Sequence, residues 1–478
     1  MTRSASQRSI LRTSSISAAA QVVNVVSSIV RMKFAAILLG PAGVGLVGLY
    51  SNLLQTASAL AALGTGGAGT RQIAFAAGSE ADLAMRRARR ALSWVTWAAS
   101  GIGTVLFWLA SPWLARIVLG TPGASTEIAW LAVGIGLSVG AGAQSALLTG
   151  MRRINDLALI GSASALLGST LGVVAIWGWG MHGLVAMVLA GPLMSWLLGK
   201  ARIWRLALAP AGSMALADTL RECASLVRLG TAFLVGGLAS MLGQLAARIL
   251  VERELGLGPL GQFQAAWTIG MTYLGFILAA MGTDYFPRLT ERIRDRVEAA
   301  NLVNEQTEVA LYLFAPLLLV LLGFAPWLVR LLYSMQFSHA VEIVRWQVLG
   351  DVLKVMSWPL GFMLLAAGSA RSFMLSETAA VAAFVGSILI GLPAIGVSST
   401  GIAFVVMYLV YLPMVRWFVG RQMGFRWSRR VVGLASGLMV AAVAVDLAGV
   451  YRDWLGAVLG SSLGGLACMA AWRRLAVR

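Results

Sequence analysis

The sequence predicts an all-α polytopic membrane protein of about fourteen transmembrane helices, grouped as six, six and two. Three observations predict it. Hydrophobic residues make up 59% of the 478 and charged residues only 12%, against about 25% charged in soluble domains. Mean hydropathy is +0.81. Fourteen apolar segments also follow one another with short polar breaks. Each is near the ~20 residues a spanning helix needs, which leaves no room for a sizeable soluble domain.

In order, the segments fall at 13–38, 43–64, 91–111, 128–149, 157–180, 183–199, 228–250, 262–286, 308–333, 341–368, 373–396, 400–418, 431–450 and 454–472. The first follows Arg3, Arg8 and Arg12, contains Ser and Gln and is long enough to span, so it reads as a retained helix and not a cleaved signal. The longest polar stretches are 65–90, 200–227 and 287–307. Within the second, ARIWRLALAPAGSMALADTLR follows six segments and precedes six more. We therefore assign residues 1–205 to a first lobe, 206–227 to a linker and 228–420 to a second lobe. RWFVGRQMGFRWSRR (416–430) then leads into two further helices within 421–478.

The formal charge of +18 follows from topology. With a cytoplasmic N-terminus, the inside segments hold Arg3, Arg8, Arg12, Arg71, the run RRARR (86–90), Arg152 and Arg153. They also hold the groups Lys200–Arg228, Arg288–Arg296 and Arg416–Arg430, together with Arg371, Arg473, Arg474 and Arg478. These are 28 of the 37 Lys and Arg, so the positive-inside rule places both termini in the cytoplasm. Nucleic acid is not implied. Cys223 and Cys468 lack metal-ligand spacing and His182 and His339 lie far apart, so no metal or other cofactor is expected.

An internal repeat is visible at one hairpin. VRMKFAAILLGPAGVGLVGLY (30–50) and AARILVERELGLGPLGQFQAAW (246–267) each place a cation before a Pro-x-Gly turn (Pro41 and Gly43; Pro259 and Gly261), then resume as a Gly-rich apolar helix. Duplicated helix bundles of this kind are common in secondary transporters.

Several helices carry polar stripes at helical spacing. Ser17, Gln21, Asn24, Ser28 and Arg31 share one face of the first; Asn52, Gln55 and Thr56 share a side of the second; Gln244, Arg248 and Glu252 follow in steps of four on the seventh. The first two stripes have two readings, glue between helices or the wall of a wet cavity. Arg248 and its neighbours Glu252, Arg253 and Glu254 either belong to such a wall or snorkel to the surface. The tenth helix is the sharpest case: in RWQVLGDVLKVMSWPLG, Gln347, Asp351 and Lys354 lie at i, i+4 and i+7. An ionised side chain at the centre of a spanning helix costs on the order of 2.5–3.5 kcal/mol. Lys354 stands twelve residues past Glu342, roughly 18 Å at helical rise, and fourteen before Gly368. Snorkelling does not rescue it in either direction. It therefore either cancels its charge against Asp351 or serves a function.

No enzyme constellation is present: there is no GK[ST] phosphate loop, no HExxH and no GxSxG elbow. The outer loops are also short and poor in carboxylates.

WQVLGDVLKVMSWPLGFMLLAAGSARSFMLSE (346–377) resembles the tenth and eleventh helices of the O-antigen and enterobacterial common antigen flippases, the Wzx-type translocases of the multidrug/oligosaccharidyl-lipid/polysaccharide exporter superfamily. The matching elements are WQ..GDVLK (Trp346 to Lys354), Gly361, Ala367, Arg371 and Glu377. Lys33, eight residues before Pro41 in K-x7-PAGxG, agrees as well, as do GTRQIA (69–74) and YFPRLTE (285–291). The resemblance covers roughly residues 10 to 420; the last two helices extend past it. It implies two six-helix lobes around a central cavity, in the bacterial inner membrane. The cargo would be a polyprenyl (undecaprenyl) pyrophosphate-linked oligosaccharide, moved from the cytoplasmic to the periplasmic leaflet by alternating access. Arg31, Lys33, Arg248 and Lys354 would meet the anionic headgroup. Asp351, Glu377, Gln347, Asn24, Gln21, Asn52 and Gln55 would support them or take part in coupling to H+ or Na+. Polysaccharide polymerase and chain-length machinery are the protein partners it implies. Other readings are an exporter of another lipid-linked precursor (exopolysaccharide or peptidoglycan) and a membrane polymerase or ligase acting on the same lipid.

Overall fold

The computed structural model describes residues 3–78, 82–206 and 216–475. Residues 207–215 of the expected linker lie outside them, as do Arg478 and the side chains of Arg3, Arg8, Arg12 and Ser17. Every regular element among the described residues is helical: α1 (Arg3–Ala62), α2 (Thr65–Gly78), α3 (Asp82–Leu119), α4 (Ser125–Gly150), α5 (Ile154–Trp179), α6 (Leu184–Trp204), α7 (Leu216–Leu255), α8 (Leu257–Arg292), α9 (Arg296–Gly323), α10 (Ala325–Leu332), α11 (Ser338–Ala366), α12 (Ala370–Ile395), α13 (Ser399–Met423), α14 (Arg429–Tyr451) and α15 (Asp453–Leu475).

Gly40 interrupts α1 with φ 65 and ψ −164, a conformation only glycine adopts without strain, and Pro41 restarts the helix. The two halves are the first two spans. α2 and α10, at 14 and 8 residues, are too short to cross a bilayer. The remaining twelve bring the helices long enough to span among the described residues to fourteen, the number the apolar segments predict.

The polar stretch 65–90 is helical over its described residues. It folds as α2 and the start of α3, because TGGAGTRQIAFAAG carries Ala68, Ile73 and Ala76 on one face and buries them against Ala88, Leu92, Val95 and Leu226. The sequence contains this periodicity, but the glycines and Arg71 mask it.

The chain divides into two compact units, Met1–Arg253 and Glu254–Arg478. In the first, α3 packs on α4, α5 on α6, and α1 along α5. The N-terminal half of α7 is tied in where Gly64 and Gly230 meet: a Cβ on Gly64 would stand 1.9 Å from the Gly230 carbonyl oxygen. Gln72 also donates to Glu222 at 2.7 Å. In the second unit α11 runs through the middle, against α8 and α13, with Val348, Val352, Val355, Leu360 and Leu364 buried. The hairpin α14–α15 lies on α9, its close approach permitted by Gly323, Gly449, Gly456 and Gly460. Ion pairs hold it at both ends. Glu308 of α9 takes Arg430 at 3.0 Å and Arg474 at 3.8 Å, and Arg345 of α11 lies 3.8 Å from Asp446 and 3.6 Å from Asp453.

The repeat glimpsed at one hairpin extends through the turns. Left-handed backbone occurs at Gly40 and Gly256, at Arg152 and Gly368, and at Gly180 and Gly396. The interval is the same, 216 residues, from 40 to 256, from 152 to 368 and from 180 to 396. The hydrogen bonds around the middle pair repeat as well. Met151, Arg152 and Arg153 donate to Leu147, Thr149 and Leu148; Ala367, Gly368 and Ser369 donate to Met363, Leu365 and Leu364.

Candidate functional site

In the second unit the stripe on α11 meets partners from α8, α12 and α13. Asp351 is fully buried and accepts a very short hydrogen bond from the Tyr273 hydroxyl of α8. Its other oxygen, Oδ1, is buried with no partner. Lys354 turns elsewhere. Its ammonium donates to Met271 Sδ at 3.6 Å, a weak acceptor, and lies 5.6 Å from the ring centre of Phe404 and 5.9 Å from that of Tyr408 on α13. No salt bridge joins Asp351 and Lys354 among the described residues, so the pair does not cancel its charge by direct contact. The field of Asp351 and Glu377 still reaches the ammonium. Tyr411 of α13 donates to Glu377 of α12. Gln347 is 1% exposed, and neither end of its carboxamide has a hydrogen-bond partner; it presses on α8 at Gly270, where a Cβ would stand 3.1 Å from Oε1.

This cluster is a Lys held by aromatic faces and a thioether, beside one carboxylate clasped by a tyrosine and another bonded to a second tyrosine. The aromatic faces and the thioether are weak partners that take the place of water around the Lys354 amine. Tyr273, Tyr408 and Tyr411 are functional candidates that sequence reasoning missed. A signal existed, Tyr408 and Tyr411 at i, i+3 in VVMYLVYLP, but hydroxyl-bearing aromatics in spanning helices read equally as packing.

The first unit holds the other candidates. Arg248 does not snorkel: it is 3% exposed and donates from Nη1 to its own helix at Gln244 O, 2.9 Å away. Glu252, one turn on, is half-buried with Oε2 enclosed and without a partner. Arg31 is half-buried with Nε enclosed and unbonded, and Lys33 is half-buried. Asn24 and Asn52 face inward with Oδ1 unsatisfied; Asn24 points at α5, where a Cβ on Gly161 would lie 3.8 Å from its Nδ2. Gln21 and Gln55 are exposed. Arg31, Glu252, Asn24 and Asn52 thus each enclose a polar atom without a hydrogen-bond partner among the described residues.

The repeat shows which polar groups the scaffold needs. One interval of 216 before Gln347, Asp351, Lys354 and Glu377 stand Leu131, Ile135, Ser138 and Gly161. Leu131 and Ile135 are 0% and 1% exposed. The same helical framework therefore packs in the first unit without any of these charges.

A family model described as polysaccharide biosynthesis protein matches residues 10–292, more than half of the chain. The chain belongs to the polysaccharide biosynthesis protein family. This family member is 25% identical over 425 residues to the lipid III flippase of Escherichia coli (strain K12), which covers 85% of this chain and 97% of that protein. It is equally similar to the lipid III flippase of Shigella flexneri. Among solved structures it superposes on lipid II flippase MurJ in an inward closed conformation. The TM-score is 0.74 at 10% identity, over 98% of this chain and 100% of that one. An inward-facing multidrug resistance MATE family transporter of the MOP superfamily matches with TM-score 0.66 at 17% identity, over 86% and 96%. At these identities the structural likeness establishes the fold. The resemblance read from the sequence is thereby upheld for family and fold, and the matched relatives are flippases and transporters, not enzymes.

Proposed function

We propose that this family member flips a polyprenyl (undecaprenyl) pyrophosphate-linked oligosaccharide repeat unit, for O-antigen or a related surface polysaccharide, from the cytoplasmic to the periplasmic leaflet of a bacterial inner membrane. The cycle is alternating access with both termini cytoplasmic. The observation that carries the reading is Lys354. It is a lysine deep in a spanning helix, held by Met271, Phe404 and Tyr408 and not by a salt bridge, in a chain 25% identical to a lipid III flippase. A pyrophosphate cannot cross hydrocarbon bare. A cation whose present contacts are weak gives them up readily for a phosphate oxygen, and the lipid tail stays in the bilayer meanwhile. Arg31, Lys33 and Arg248 are the other cations assigned to the headgroup. Asp351 and Glu377, each bonded to a tyrosine, set the field at Lys354 and are the groups assigned to a coupling ion, H+ or Na+. Gln347, Asn24 and Asn52, with buried unsatisfied amides, and the exposed Gln21 and Gln55 are assigned to the saccharide.

The test is rescue. Expression in flippase-null cells restores surface display of O-antigen or common antigen, and loss of the protein leaves lipid-linked units on the cytoplasmic side. Formation of sugar–sugar bonds by the purified protein in vesicles would overturn the reading.

A further inference from the structure

At one end of the first unit, apart from every residue assigned above, α3, α4 and α6 line an open cavity of about 550 Å³. Its walls alternate cations and indoles: Arg89, Arg90 and Lys200 beside Trp94, Trp97 and Trp196. Lys200 Nζ lies 4.8 Å from the ring centre of Trp196. The residues lining the cavity include no carboxylate. Gln144 also lines the cavity, with its Oε1 turned away against Gly199 of α6.

Two glycines make this arrangement possible. A Cβ on Gly199 would stand 2.1 Å from Gln144 Oε1, and one on Gly140 would stand 2.8 Å from the Trp196 ring. The repeat shows again that the fold does not require it. One interval of 216 later, Leu360 and Leu412 stand where Gln144 and Trp196 do, and Leu360 is fully buried in apolar core.

The cavity's depth follows from charge. It lies where α3 begins and α4 and α6 end, alongside Arg86, Arg87, Arg152, Arg153, Arg202 and Arg205, the concentration that marks a cytoplasmic surface. Trp94 and Trp97 are 51% and 74% exposed, as tryptophans at the headgroup level of a bilayer are.

We propose that this cavity binds the headgroup of an anionic phospholipid of the cytoplasmic leaflet. The phosphodiester sits among Arg89, Arg90 and Lys200, and the acyl chains run past Trp94 and Trp97. A cation near the membrane surface strengthens binding of an anionic lipid by about fivefold, so three cations without a facing carboxylate select a net-anionic headgroup over a zwitterionic one.

The test is native mass spectrometry of the full chain released from nanodiscs containing phosphatidylglycerol and phosphatidylcholine. Phosphatidylglycerol is retained at least tenfold over phosphatidylcholine. Ser93→Asp places a carboxylate at an exposed position on the cavity wall and removes most of that preference without disturbing the core; Arg89→Gln/Lys200→Gln does the same. Arg292→Gln/Arg294→Gln removes equal charge at exposed positions elsewhere and leaves the preference intact. Absence of preference in the wild type overturns the proposal, as does equal loss in the charge-matched control or full retention by Ser93→Asp. A final arm adds undecaprenyl diphosphate. Failure to displace the bound phosphatidylglycerol supports the bilayer lipid as occupant, and displacement that Ser93→Asp abolishes overturns it in favour of the transported lipid.

Discussion

Asp351 hangs on one hydrogen bond. Tyr273 supplies it, and the other carboxylate oxygen is buried and unbonded. Tyr273→Phe leaves both oxygens unsatisfied, and stranding a buried acceptor costs about 1–3 kcal/mol. We expect a lowered melting temperature of the purified protein, and a much smaller loss when Tyr273→Phe is made on an Asp351→Ala background, where no acceptor is left to strand. Additive losses would show that the two side chains act independently. Lys354→Ala removes the ammonium without stranding a carboxylate partner, since no salt bridge is broken. Membrane level therefore stays near wild type while surface display falls at least tenfold, and Lys354→Arg restores part of it. Quantitative immunoblots of surface polysaccharide against protein level read both; full display by the alanine variant would return Lys354 to a packing role. At this scale the sequence was legible where spacing along a single helix decides the matter. Gln347, Asp351 and Lys354 do share a face toward α8 and α13. Tyr273, Tyr408 and Tyr411 were not legible, because only the packing of α8, α12 and α13 brings them to the charges.

The helices themselves were legible for an older reason: a bilayer demands long apolar runs, and glycine and proline punctuate them. At α2, which the sequence shows only as part of a polar stretch, burial against α3, α4 and α7 makes a helix of residues poor in large apolar groups. The turns offer a quantitative check. Gly256 has φ 85 and a Cβ there would meet nothing within 4 Å, so Gly256→Ala is penalised by backbone strain alone, about 1–2 kcal/mol. Gly66→Ala, in α2 with equally open space and no left-handed backbone, is expected to be neutral or to stabilise by about 0.4–1 kcal/mol. Thermal unfolding of the two variants in detergent separates them. Equal melting temperatures would mean that the turn does not need its left-handed residue. The hairpin α14–α15, which the family resemblance left without a role, is a packed part of the second unit. Its glycines close on α9, and Glu308 is 8% exposed between two arginines. Glu308→Ala leaves Arg430 and Arg474 facing each other without their shared acid. Limited proteolysis at the 424–428 connection is expected to quicken several-fold.

Over the whole molecule, duplication gives an internal control that a single lobe would lack. The two halves share an interval of 216 residues at three turns, yet Asp351 and Lys354 fall where the first half has Ile135 and Ser138. A framework that packs with an isoleucine at one copy does not need an acid at the other for its own stability. Buried charges replaced by apolar groups of similar volume are often neutral or stabilising. Asp351→Asn with Lys354→Met removes both charges at nearly constant volume and keeps an acceptor for Tyr273. The double variant is therefore expected to melt at or above the wild-type temperature and to insert at normal levels, while surface display is lost. Melting measured beside display in flippase-null cells decides between the two roles. A variant that fails to fold would make the pair part of the scaffold, whereas a stable variant that no longer exports would show that the second half retains a destabilising pair for transport.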